Sequence, residues 1–172
     1  VNKYLLPLFM LILFIAESVF TDLIAVPFSS DNHIFVPRFV LLALTFITAF
    51  VNRRYGILYG FAFGLLHDIV YTEVIGIYLF AYPLFAYLLA KVFKILHNNV
   101  LVVLFMGLLA ISVLEFYVYG IHTLIRPTPY PFQEFTTQSL LPSLGVNLFA
   151  AILLILPARL FLETLDVEHN EE

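Results

Sequence analysis

The sequence predicts an all-α integral membrane protein with six transmembrane helices and both termini in the cytoplasm. Three observations carry that prediction. Of the 172 residues, 62% are hydrophobic and only 12% are charged. A soluble domain carries about 25% charged residues, and one soluble core of this size could not bury so much apolar surface. Six apolar segments recur along the chain, each near the length of about 20 residues that a helix needs to cross hydrocarbon. Basic residues, finally, gather at alternate ends of those segments, as the positive-inside rule requires.

The first segment, residues 4–20, follows Lys3 and closes on AESVFTDL with no small-residue cleavage site. It is therefore expected as a retained span and not as a signal peptide. Segments 37–51 and 55–71 are short, and only Asn52, Arg53 and Arg54 separate them. The fourth, 74–95, contains Pro83, which removes a helical donor and predicts a kink. His97, Asn98 and Asn99 read as an inner turn before the fifth segment, 100–121. The sixth, 140–162, contains Asn147, an amide able to bridge to another helix for about 1 kcal/mol. Residues 1–162 thus form one expected transmembrane domain, and 163–172 an acidic cytoplasmic tail. Lipid-exposed irregular backbone is not tolerated, and the segments lack the alternation of a β-barrel, so helices are the expected spans.

With the N-terminus inside, Lys3, Arg53, Arg54, Lys91, Lys94 and Arg159 are cytoplasmic, and only Arg38 and Arg126 lie outside. The inner turns are tight. The outer connections, 21–36 and 122–139, are longer, and the second contains RPTPYPF with prolines at 127, 129 and 131. Such spacing gives extended backbone. Both loops read either as solvated connectors or as ordered covers that meet a partner. Tyr55, Tyr71, Tyr78, Tyr117 and Tyr119 fall near segment ends, where amphipathic rings prefer the membrane interface.

The net charge of −4 argues against a nucleic-acid partner. The absence of cysteine removes disulfides, thiolate metal sites and thiol nucleophiles. The most informative polar positions lie inside the apolar segments. Gly56, Gly60, Gly64 and Asp68 recur every four residues, so on a helix they share one stripe. Small residues at that spacing let another helix approach closely, and Asp68 should face protein rather than lipid. Asp68 stands roughly 20 Å along the third segment, towards its outer end. Glu17 and Glu115 reach a similar level, and Pro37 and Arg38 open the second segment from the same side. Arg38 is the expected partner of these acids, since a guanidinium holds carboxylates in a forked geometry.

Three readings compete for this outer cluster. Catalysis finds little support: His67 and Asp68 point about 100° apart on a helix, and the histidines lack metal-ligand spacing. HExxH, GxSxG and GxxxxGK[ST] motifs are absent. No catalytic residue, metal or cofactor is therefore expected. A solute-binding role is open, because polar pockets among helices are where carriers hold ligands. A structural role is equally open, with carboxylates and Arg38 locking helices together.

The ordered polar positions resemble the MreD family in its Gram-positive form. The resemblance rests on AESVFTDL (Ala16–Leu23), VPRF (Val36–Phe39), YGFAFGLLHDIVYT (Tyr59–Thr72), GIY (Gly76–Tyr78) and LEFYVYGI (Leu114–Ile121). It implies a multi-pass protein of the bacterial cytoplasmic membrane, a non-enzymatic scaffold of the cell-elongation complex acting in rod shape. Its implied partners are MreC directly, MreB, RodA and a penicillin-binding transpeptidase through the complex, and membrane lipid. The family is similar in fold to the substrate-binding subunits of energy-coupling-factor transporters, which keeps a small-molecule carrier as the alternative. The positions matching the family pattern are Pro37, Arg38, Gly60, Gly64, Asp68 and Gly76. The glycines and Asp68 are expected in helix packing or in gripping MreC.

Overall fold

In the computed structural model, residues 4–25, 33–125 and 131–169 are described. Among them the chain forms helices α1 (Leu5–Phe20), α2 (Phe39–Phe50), α3 (Arg53–Tyr71), α4 (Ile77–Leu96), α5 (Val100–Ile125) and α6 (Leu141–His169). A π-helical turn, Thr21–Ala25, follows α1, and a short lead-in of Phe132–Glu134 and Phe135–Leu140 runs into α6. Four stretches are long and apolar enough to cross a membrane: Leu5–Leu23, Ile77–Leu96, Val100–Ile125 and Phe132–Leu165. Lys3, Arg126, Pro127 and Pro129 lie outside the described residues.

The organising element is α2. All twelve of its residues are buried, and it packs against each of the other five helices. At about 1.5 Å per residue it is roughly 18 Å long, well short of a hydrocarbon core of about 30 Å. Its N-terminal end lies inside protein, where the unpaired N–H groups of a helix start need protein partners, while its C-terminal end passes through half-buried Val51 to exposed Asn52. Asn52 turns the chain into α3, its side chain accepting from the Arg54 N–H at 2.9 Å. Asn98 donates to the Ala49 carbonyl at the C-terminal end of α2. Thr45 and Thr48 satisfy their own hydroxyls on Leu41 and Leu44 carbonyls, at 2.8 and 2.7 Å.

Several boundaries differ from the sequence expectation. The fourth helix begins at Ile77 and not at 74, because Gly76 takes φ +121°. The fifth runs on to Ile125. The expected separate tail from 163 is instead helical through His169, continuous with α6. An Arg159–Glu163 pair at 2.7 Å, one helical turn apart, carries the helix past the apolar stretch.

Candidate functional site

The polar groups expected at the outer ends of several segments meet in a buried belt to which all six helices contribute. It is built around the entry to α2. Residues 33–38 run without regular structure before that helix, so their backbone groups need partners. The Ile34 N–H donates to the Gln138 carbonyl at 2.7 Å. The Val36 N–H donates to Ser143 Oγ at 2.9 Å. Asn147 accepts from the Arg38 N–H at 2.7 Å and donates to the Val36 carbonyl at 2.8 Å. Pro37, buried between Val36 and Arg38, has no N–H that would need an acceptor there.

Two of the three carboxylates terminate helices. Glu17, from α1, accepts the Val40 N–H in the first turn of α2 at 2.9 Å. Asp68, from α3, reaches the start of α4 and accepts from the N–H groups of Gly76, Tyr78 and Leu79 at 2.8, 2.9 and 3.0 Å. Neither α2 nor α4 has a capping side chain at its own first position. A carboxylate from a neighbouring helix takes that place, and its negative charge suits the positive end of the helix dipole. Gly76 permits the cap: at φ +121° it turns its N–H onto Asp68, a conformation that side-chain-bearing residues rarely adopt.

The third carboxylate belongs to Arg38. Glu115 of α5 accepts from Arg38 Nε at 2.6 Å, with both side chains buried. Arg38 also donates to the Tyr78 hydroxyl at 2.9 Å, and its guanidinium lies 5.2 Å from that ring's centroid. Tyr78 joins the two halves of the belt, its hydroxyl on Arg38 and its N–H on Asp68. Arg38 was expected to gather all the acids; instead it pairs with Glu115 while Asp68 and Glu17 hold helix termini. The reason is geometric: three N–H donors at an uncapped helix start satisfy a carboxylate as fully as a guanidinium does.

The glycine stripe is covered within the chain. A β-carbon at Gly60 would stand 2.9 Å from the backbone of Pro83, and one at Gly64 would stand 2.5 Å from the Tyr78 carbonyl oxygen. At Gly56 it would meet Thr48 Oγ1 of α2. The stripe thus seats α4 and α2 and is not open to a further helix. Gly76 lies apart from it, with only the Phe80 ring near a β-carbon there.

His67 does not face Asp68. It sits in an aromatic nest of Phe14, Tyr71, Tyr78 and Tyr82, with Nδ1 3.7 Å from Glu17 Oε1. Asp68 is thus engaged by three backbone N–H groups and Glu115 by Arg38, both of them contacts within the fold. Ser143 is a belt residue that sequence reasoning passed over, and Asn98 was read only as part of an inner turn. Asn147 was singled out only as a helix bridge. Their signal is small: a polar side chain in an apolar run, or one asparagine in a turn. An apolar groove of about 600 Å³ lies between α1 and α6 beside this belt and is lined by residues including Leu13, Phe20, Phe39 and Phe149.

Comparison with known proteins gives a consistent result. The family model for rod shape-determining protein MreD matches residues 2–165. The rod shape-determining protein MreD of Bacillus subtilis (strain 168) is 42% identical over 171 residues, covering 99% of each chain. No solved structure matches the chain.

Proposed function

The chain belongs to the MreD family of rod shape-determining proteins, and from that membership we propose that it is a non-enzymatic scaffold of the bacterial cell-elongation complex. In this reading it lies in the cytoplasmic membrane as a six-span protein with both termini inside. It binds MreC directly and, through the complex, helps MreB, RodA and a penicillin-binding transpeptidase to place lateral wall synthesis. The observation that carries the non-enzymatic part is how the belt's carboxylates are used. Asp68 and Glu115 are committed to N–H donors and to Arg38, and Glu17 caps α2. Such groups fix a shape. Because Gly56, Gly60 and Gly64 are covered by α2 and α4, the grip on MreC in this reading uses an exposed apolar helix face and not the glycine stripe.

The test is recovery of partners by the tagged full-length chain from membranes in mild detergent. MreC should be recovered with RodA. Recovery of an ATPase module in place of MreC would sink the scaffold and favour a carrier subunit. Topology has its own check, since the chain lacks cysteine. A thiol introduced as Asn99→Cys should react with an impermeant reagent only from the cytoplasmic side.

A further inference from the structure

The two helices of the α3–α4 hairpin bring four cations to one end. Arg53 and Arg54 open α3, and Lys91 and Lys94 stand near the end of α4. All four are exposed. The acids of the hairpin, Asp68 and Glu73, belong to its other end, Asp68 roughly 22 Å along α3 from Arg53. Among the described residues none of the four cations has a carboxylate partner, whereas Arg159 of α6 holds Glu163 at 2.7 Å. Two of the four converge. Lys91 Nζ and Arg53 Cζ lie 4.6 and 6.0 Å from the centroid of the same ring, that of Tyr87. The ring attracts each cation but does not cancel the repulsion between them.

An apolar stripe leads away from this pair. Tyr87, Leu88, Leu84 and Phe80 follow Lys91 at helical spacing along one face of α4, and all are exposed. We propose that this end of the hairpin binds an anionic phospholipid, its phosphate between Arg53 and Lys91 and its acyl chain along the α4 stripe. The chemistry recognised is a phosphate joined to hydrocarbon. A soluble acidic partner would use the cations and leave the stripe bare. Anionic headgroups of the cytoplasmic leaflet attract juxtamembrane cations, each adding about fivefold in affinity. That the leaflet is the cytoplasmic one rests on the topology proposed above; the composition of the site does not.

The test titrates the detergent-solubilised full-length chain with dioleoyl phosphatidylglycerol or dioleoyl phosphatidylcholine, and native mass spectrometry counts the lipid retained. The two lipids share tails and phosphate and differ in net charge. Phosphatidylglycerol should bind at least about tenfold tighter. Equal retention overturns the proposal without any variant. Arg53→Gln combined with Lys91→Gln should weaken phosphatidylglycerol binding about 25-fold. Arg159→Gln should change it less than about twofold, because that charge is already balanced by Glu163. Equal losses in the two variants would mean diffuse attraction and no site. Inorganic phosphate should compete no better than chloride at equal ionic strength; displacement of the lipid by phosphate assigns the cations to a soluble anion and overturns the lipid. Topology fails separately. If Asn99→Cys reacts from the outer side while the lipid preference persists, the site stands and only its leaflet changes.

Discussion

The α3–α4 pair and the α1–α2 pair solve the same problem with different completeness. In each, a helix starts inside protein and a carboxylate from its partner caps it. Asp68 takes three N–H groups of the α4 start, while Glu17 takes one at the start of α2. The α3–α4 contact is also closed by backbone, with Gly60 and Gly64 against Pro83 and Tyr78. Beside α1 and α2 there is instead an apolar groove of about 600 Å³. The α3–α4 pair, joined by the short connection 72–76, is thus a self-contained hairpin. The central helix depends on side chains sent from α1, α5 and α6, and its position is set by many partners.

The comparison breaks most completely at Gly64. Gly64→Leu places a β-carbon 2.5 Å from the Tyr78 carbonyl oxygen and 2.9 Å from its carbon. Both are backbone atoms, which cannot rotate away. The hairpin should fail to close, and the chain should be lost from the membrane fraction on immunoblotting while Gly145→Leu, where no neighbour lies within 4 Å, accumulates normally. Equal accumulation of the two would mean that backbone contact does not hold the hairpin.

Next in size is Asp68→Ala. It leaves three N–H donors, one buried and two part-buried, without their acceptor, a cost of about 3 kcal/mol or more when each is worth about 1–3. Denaturant titration in detergent should show it well below the parent chain. Asp68→Asn should not rescue it, because the amide turns an NH₂ group towards N–H donors. Glu115→Ala ranks just below, at about 3–5 kcal/mol, since Arg38 stays buried with Tyr78 as its remaining side-chain acceptor. Replacing both partners, Arg38→Met with Glu115→Leu, should recover most of that loss in the same titration. A double variant as weak as Glu115→Ala would show that Arg38 serves α2 through contacts other than the pair.

These sites divide by how far their meaning could be followed along the chain. Apolar runs locate helices because span length and hydropathy are local properties, and each expected segment has its helix. The stripe at Gly56, Gly60 and Gly64 is likewise local, and it marks a close contact without naming the neighbour. Asp68 was placed on the protein-facing side, but its partners were not legible. A carboxylate at a helix end accepts backbone N–H groups as readily as it pairs with arginine, and sequence displays only the arginine. Asn98, Ser143 and Asn147 act on residues 49, 107 and 109 positions away. No periodicity encodes such contacts. Nor could length alone announce that α2 is central; it follows from the burial of all twelve of its residues.

The smallest effect sharpens the comparison best, because the same chemical change is made at the weaker cap. Glu17→Gln keeps a carbonyl oxygen to accept the Val40 N–H. Its new NH₂ group faces His67 Nδ1, an atom with no protein partner. The amide therefore gains a use at position 17 that it lacks at 68. The expected change in stability is about 1 kcal/mol or less, against several for Asp68→Asn. Both are read from one denaturant series on the full-length chain. A loss at Glu17→Gln as large as that at Asp68→Asn would show that the negative charge, and not the accepting oxygen, holds the start of α2. The two caps would then be equivalent, and the contrast between the hairpin and the central helix would rest on the glycine contacts alone.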